Sequence, residues 1–158
     1  MDITFDTSEG RFNYRVCAIL LQGERLLAMH DERSPYYYLP GGRVRMGERA
    51  EDAVLREVRE KLGIEARIKR PLWLSQAFFT EDVDRIGFHE MCLYFLLDAS
   101  ETNLLLRGDR FRGPERRHVH DFKWLPFARL KDEYFYPLFL KTEIYHLPEG
   151  LTLRTDRE

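Results

Sequence analysis

Long apolar runs are missing from this chain. No segment approaches the roughly 18 consecutive apolar residues of a membrane-spanning helix, and the opening MDITFDTSEGRFNYR lacks a basic stretch followed by an apolar one. The expectation is a soluble protein that is not exported. Cysteine is scarce: Cys17 and Cys92 lie inside apolar, strand-like runs (YRVCAILL and HEMCLYFLL). They read as small buried hydrophobes in a reduced, cytoplasmic compartment, not as a disulfide framework. An excess of charge of either sign is also missing. With 25 Lys and Arg against 27 Asp and Glu, the formal net charge is −2, which argues against a coat for polymeric nucleic acid and leaves any phosphate recognition to local features. Repeats, low-complexity tracts and linkers are absent too, so residues 1–158 read as one domain. Its 44% hydrophobic content suffices for a core without disulfides.

What is present reads as mixed α and β. Apolar, β-branched residues from 14 to 21 predict a buried strand, and Gln22-Gly23-Glu24 turns it into a second strand over 25–30. A Pro-bearing stretch leads to Leu39-Pro40-Gly41-Gly42, expected to break any regular element. From about residue 49 to 62, Ala50, Ala53, Val54, Val58 and Leu62 make a helical stripe, and Gly63 stands where a helix C-cap glycine belongs. Strands are expected over 65–70, 73–79 and 87–97, the last two forming a hairpin about Glu81 to Asp84. Residues 100–118 read as a long surface loop and 119–125 as a final strand. Short helices are expected over 126–131 and from Pro137 to about 146, with the tail an edge or frayed end.

Chemistry concentrates on the predicted helix. Glu57 and Glu60, three residues apart, project from one face, and two such carboxylates repel unless a hard, oxygen-preferring cation joins them. Glu48 lies before the helix and Arg56 within it, an acid and a guanidinium able to lock loop to helix. The Gly41-Gly42 bend lets backbone approach a metal closely.

Gly42, Glu48, Arg56-Glu57-Val58, Glu60 and Gly63-Ile64 together reproduce the spacing G-x5-E-x7-R-E-U-x-E-E-x-G-U, where U is a bulky aliphatic. On these residues, with the preceding Leu39-Pro40-Gly41 and the later Trp124-Leu125-Pro126, the chain resembles the Nudix hydrolases. The resemblance departs at Lys61, where the family has its second paired glutamate. It implies an α+β fold, a Nudix-like α/β/α sandwich about a mixed central sheet. It also implies hydrolysis of a phosphoanhydride bond in a nucleoside diphosphate linked to another group, with Mg²⁺ or Mn²⁺ as cofactor. Glu57 and Glu60 would bind metal or activate water, Gly42 would supply backbone to the metal, and Glu48 and Arg56 would brace the motif. The cation would neutralise the diphosphate and activate the water that attacks phosphorus.

Outside that motif, Glu90, Glu115 and Asp121 compete to complete the metal site, with Glu90 taken first. Lys61 and Arg43 are expected to meet substrate phosphates, with pairing to Glu57 the alternative for Lys61. Tyr38 and Phe79 are expected to stack a base, although aromatics also fill sheet cores. His118 and His120 read as solvated loop-edge residues. A small-molecule nucleotide is the expected partner, and a homodimer is compatible with the sequence. The competing reading, kept open by Lys61, is a nucleotide-binding module on the same scaffold with weakened catalysis. A purely structural interaction domain would leave the acidic face and the glycine bend without use.

Overall fold

The computed structural model describes residues 1–114 and 118–158. In chain order they form β1 (Thr4–Thr7), β2 (Gly10–Ile19), β3 (Leu21–Gln22), β4 (Arg25–Asp31), β5 (Gly41–Arg43) and helix α1 (Ala50–Leu62). Next come β6 (Arg67–Thr80), β7 (Gly87–Asp98), a 3₁₀ turn (Leu104–Leu106), β8 (Arg110–Arg112) and β9 (His120–Pro126). A second 3₁₀ segment (Phe127–Asp132), the short helix α2 (Leu140–Glu143) and β10 (Thr152–Arg157) end the chain.

Strand β2 organises the layers through the two-residue alternation of a strand. Val16, Ala18 and Leu20 pack with Ala53, Val54, Val58 and Leu62 of α1 in one core, while Cys17 and Ile19 pack with Leu130, Phe135, Leu140 and Ile144 in the other. The sheets therefore lie between α1 on one side and the second 3₁₀ segment with α2 on the other. The larger sheet is mixed and runs β1-β2-β7-β6-β10, with β5 on β2; the smaller runs β3-β4-β9-β8. The parallel pairs of the larger sheet are β2 with β7 and β6 with β10. This is the α+β arrangement with a mixed sheet that the sequence implies.

Helix α1 is held by its buried stripe, each Val or Leu contributing about 1.5–3 kcal/mol. Its end is defined by Gly63 in the left-handed region (φ 66°), whose N–H bonds to the Arg59 carbonyl at 2.8 Å. Arg107 donates to the Leu62 carbonyl at 2.6 Å, satisfying a group that every helix C-terminus leaves open.

Several local expectations are corrected. The strands expected over 65–70 and 73–79 are one, β6, with register shifts at Ile68/Arg70 and Pro71/Trp73; Pro71 lacks a donor, yet it stands opposite Phe95, and the ladder skips Lys69 and Leu72 on either side of it instead of ending. Gly41–Arg43 pairs with β2 and is thus a strand despite its glycines. The loop over 100–118 carries a 3₁₀ turn and β8, and the helix expected from Pro137 is only α2. Of the two readings of the tail, an edge or a frayed end, the edge holds: it is β10, an edge strand parallel to β6. No helix among the described residues is long and apolar enough to cross a membrane.

Candidate functional site

Arg56 is the hub of the predicted motif. Its Nε donates to Glu48 at 2.7 Å, and its Nη2 donates both to the other Glu48 oxygen at 2.9 Å and to the Arg43 carbonyl at 3.1 Å. Its Nη1 reaches Glu57 at 2.9 Å and Glu60 at 3.4 Å. One side chain thus ties the loop, β5 and the helix together, with a bidentate pair as its strongest link. The Arg56 hydrogen bonds hold the Glu48 carboxyl down to about 2, and the Arg45 backbone N–H adds to this.

Glu57 is buried at 7% exposure because it lies on the backbone of Gly42. A Cβ on Gly42 would fall 2.3 Å from Glu57 Oε1, so any side chain there would push the carboxylate out of this seat. The second Glu57 oxygen accepts from Lys61 Nζ at 2.9 Å, the i,i+4 pairing. Glu60 is more open and also faces Arg45 at 3.8 Å. Carboxylate oxygens against bare backbone are the donor set of a hard cation. Arg56 Nη1, shared by Glu57 and Glu60, already shows these two acids holding one positive charge between them. Among the described residues, no three of Asp, Glu, His and Cys converge as ligands. The carboxylates of Glu57 and Glu60 fit an oxygen-ligated cation.

The site opens into two joined hollows. A groove of about 550 Å³ is lined by Gly42, Arg43, Lys61, Glu90, Tyr38 and Phe79, together with Asn13, Arg15, Arg33 and His120. Beyond it lies a cavity of about 360 Å³. Glu90 is buried in the sheet and accepts from Asn13 Nδ2 at 2.9 Å. Asp121 faces away from the groove and pairs with Arg112 at 3.4 Å, and Glu115 lies outside the described residues. Tyr38 donates its hydroxyl to Asp31 at 2.7 Å, and Phe79 stacks on Phe88 at 5.2 Å while both still line the groove. His118 bonds to the Arg33 guanidinium, and His120 is buried at 6% exposure rather than solvated. The reason is pairing: His120 begins β9 opposite Asp31 of β4 and turns inward.

Arg15 was not singled out by motif. Its guanidinium lines both hollows and forms no hydrogen bond or ion pair with a described residue. The available signal was a charged residue in an otherwise apolar strand, two positions before Cys17 and on the same face.

The NUDIX domain family model matches residues 11–141. A Bacillus subtilis (strain 168) protein named as a candidate 8-oxo-dGTP diphosphatase is 30% identical over 112 residues, covering 66% of this chain and 75% of that protein. An ADP-ribose pyrophosphatase of Methanocaldococcus jannaschii is 31% identical over 119 residues, covering 73% and 68%. Among solved structures, a UDP-X diphosphatase superposes with TM-score 0.59 at 17% identity, covering 89% of this chain and 66% of that one, just under two thirds of its length.

Proposed function

The chain belongs to the NUDIX domain family and is a hydrolase of that type, and on that premise we propose that it cuts a phosphoanhydride bond in a nucleoside diphosphate linked to another group, in the cytoplasm, with Mg²⁺ or Mn²⁺. The observation that carries this is the buried Glu57 carboxylate seated on Gly42, braced through Arg56, with its two neighbours Gly42 and Lys61 lining a groove that Arg15, Arg33 and Arg43 also line. When bound, the cation supplies neutralisation of the diphosphate and makes water more acidic. The chain's own residues do the rest. Glu57 and Glu60 would hold the cation and take a proton from the attacking water, and Glu90 lies along the groove. Arg43 and Lys61 meet the phosphates, and Tyr38 and Phe79 flank the substrate's organic part. Of the substrates in the relatives' names, ADP-ribose and UDP-X are linked diphosphates, while 8-oxo-dGTP is a nucleoside triphosphate that shares the phosphoanhydride bond.

The test is nucleotide or phosphate release from a panel of ADP-ribose, nucleotide sugars, dinucleotide cofactors and oxidised nucleoside triphosphates, each with Mg²⁺ and with Mn²⁺. Turnover on a linked diphosphate that EDTA abolishes is the expected result. Silence across the panel sinks the proposal. In the same assay, Gly42→Ala is expected to lower turnover about 10²-fold, because a methyl there displaces the carboxylate and a misplacement near 1 Å has that effect. Unchanged turnover would mean that the close approach is only packing.

Lys61 favours a second reading, a nucleotide-binding module with weakened catalysis, since its ammonium holds the very oxygen of Glu57 that a cation would share. Lys61→Glu is expected to tighten Mn²⁺ binding roughly tenfold, as site charge sets affinity, and to raise turnover. If calorimetry and kinetics both leave the variant equal to wild type, Lys61 does not limit the metal site.

A further inference from the structure

The cavity beyond the groove differs from it in charge. Cross-strand register sets Asn13, Glu90, Ala77 and Asp156 in one row across β2, β7, β6 and β10. Neighbours in such a row stand side by side on one face, so the small Ala77 between two acids leaves a hollow. Its volume, about 360 Å³, falls within the roughly 300–1,000 Å³ of small-molecule sites. Tyr36, Phe79, Tyr136 and Phe139 wall it, and Arg15 is the one cation among the residues lining it. Five carboxylates face it.

Most of those carboxylates are satisfied. Asp156 accepts from Ser75 at 2.7 Å and from Arg154 at 2.9 Å. Asp82 accepts from the hydroxyls of Tyr134 and Tyr136, and Glu81 from the backbone N–H groups of Val83 and Asp84. Glu158 is different. Among the described residues it accepts only the Leu138 N–H, at 3.0 Å, and it stands exposed at the rim of the cavity, where partial desolvation raises its carboxyl and Asp156, Asp82 and Glu90 add to the effect. A carboxylate has about four lone-pair positions. Phosphate is repelled from such a cavity and drawn to the groove, where Arg33, Arg43 and Lys61 lie. Arg15, lining both hollows beside Glu90 and with no hydrogen bond or ion pair to a described residue, marks where a phosphate chain would leave the cavity for the groove.

Resting on the hydrolase reading, we propose that this cavity is the base subsite and takes a guanine-type base, whose ring N–H and exocyclic amine both donate to Glu158. Guanine alone among the common bases places two donors side by side for a bidentate carboxylate. Uracil flanks its N–H with carbonyl oxygens, and adenine and cytosine set their amine beside a ring nitrogen that accepts. The aromatic walls supply stacking for any base and so decide affinity, not choice. Strand β10, which carries Asp156 and leads into Glu158, lies outside residues 11–141 of the family match, so selectivity comes from a part of the chain that the family model does not cover.

The experiment is calorimetric titration of the full chain in EDTA with GMP, IMP, AMP, UMP and guanosine, so that neither metal nor turnover enters. GMP is expected to bind about tenfold or more tighter than IMP, AMP or UMP, the discrimination that a bidentate base contact provides. Glu158→Gln should cut GMP affinity more than that of IMP, which keeps only one of the two donors, and should not weaken AMP, which also reports an intact fold. Arg15→Gln should weaken GMP and spare guanosine. Equal binding of GMP, IMP and UMP, GMP affinity unmoved in Glu158→Gln, or no binding of any nucleotide overturns the proposal. Selective GMP binding with silence in the hydrolysis panel would sink the hydrolase reading and leave the subsite; metal-dependent turnover without base selectivity would do the reverse.

Discussion

Glu57→Gln is expected to lower turnover by about 10²–10⁴-fold, the range for loss of a positioned acid–base group, with little change in KM. The substitution keeps the shape of the side chain and its seat on Gly42 and removes only the charge. That charge serves three neighbours at once: Arg56 at 2.9 Å, Lys61 at 2.9 Å and any cation shared with Glu60. An amide cannot bind a hard cation as a carboxylate does or take a proton from water. Stability should fall as well, by about 1–3 kcal/mol, because Lys61 loses its counter-charge in a partly buried position. Circular dichroism and a urea transition separate the two effects. If the folded variant turns over within a few-fold of wild type, Glu57 is only a link in the ion-pair network. Glu60→Gln should be milder, since its side chain is 41% exposed and its contacts with Arg56 and Arg45 are longer.

Arg56→Ala is expected to be the largest stability loss in the motif, about 3–5 kcal/mol, the cost of breaking a buried pair and stranding its partner. Arg56 and Glu48 side chains are 13% and 17% exposed, so water cannot freely replace the guanidinium. The loss should depend on pH. Glu48 is held from an ordinary value of 4.5 down to about 2 chiefly by the Arg56 hydrogen bonds, so the pair's contribution is fully present above about 4.5 and disappears as pH falls toward 2. Urea midpoints of wild type and variant should therefore lie furthest apart near neutrality and converge on acidification through that window. A difference that stays constant from pH 7 to 3 would mean that Arg56 acts by packing alone. Arg56→Lys should recover only part of the loss, because an ammonium cannot make the two-pronged contact with Glu48 and reach the Arg43 carbonyl and Glu57 as well.

How much of this was legible in the chain follows the range of the interactions. The α1 stripe, the Gly63 cap and the shared face of Glu57 and Glu60 repeat at helical spacing within one short segment, and a helix closes its hydrogen bonds four residues away. The metal-site expectation, the brace by Arg56 and the odd status of Lys61 could therefore be read from adjacent letters. The family resemblance, too, rests on a single loop and helix.

What only the tertiary structure decided involves partners far apart in sequence. Nothing local tells Pro71 that β6 continues through it, because the neighbouring β7 and not the proline holds the strand in place. His120 reads as a solvated histidine until β9 pairs with β4 and turns it inward. Asp156 and Glu158 look like the end of a polar tail, yet parallel pairing on β6 carries them to Ala77 and Glu90. Strand pairing supplies its hydrogen bonds only after a long loop has closed. The sequence by itself therefore determined the helix, its carboxylates and the chemistry they imply, since those depend on contacts a few residues apart. The tertiary structure decided which distant side chains line the cavity beside them, since register between strands exists only once the sheet has formed.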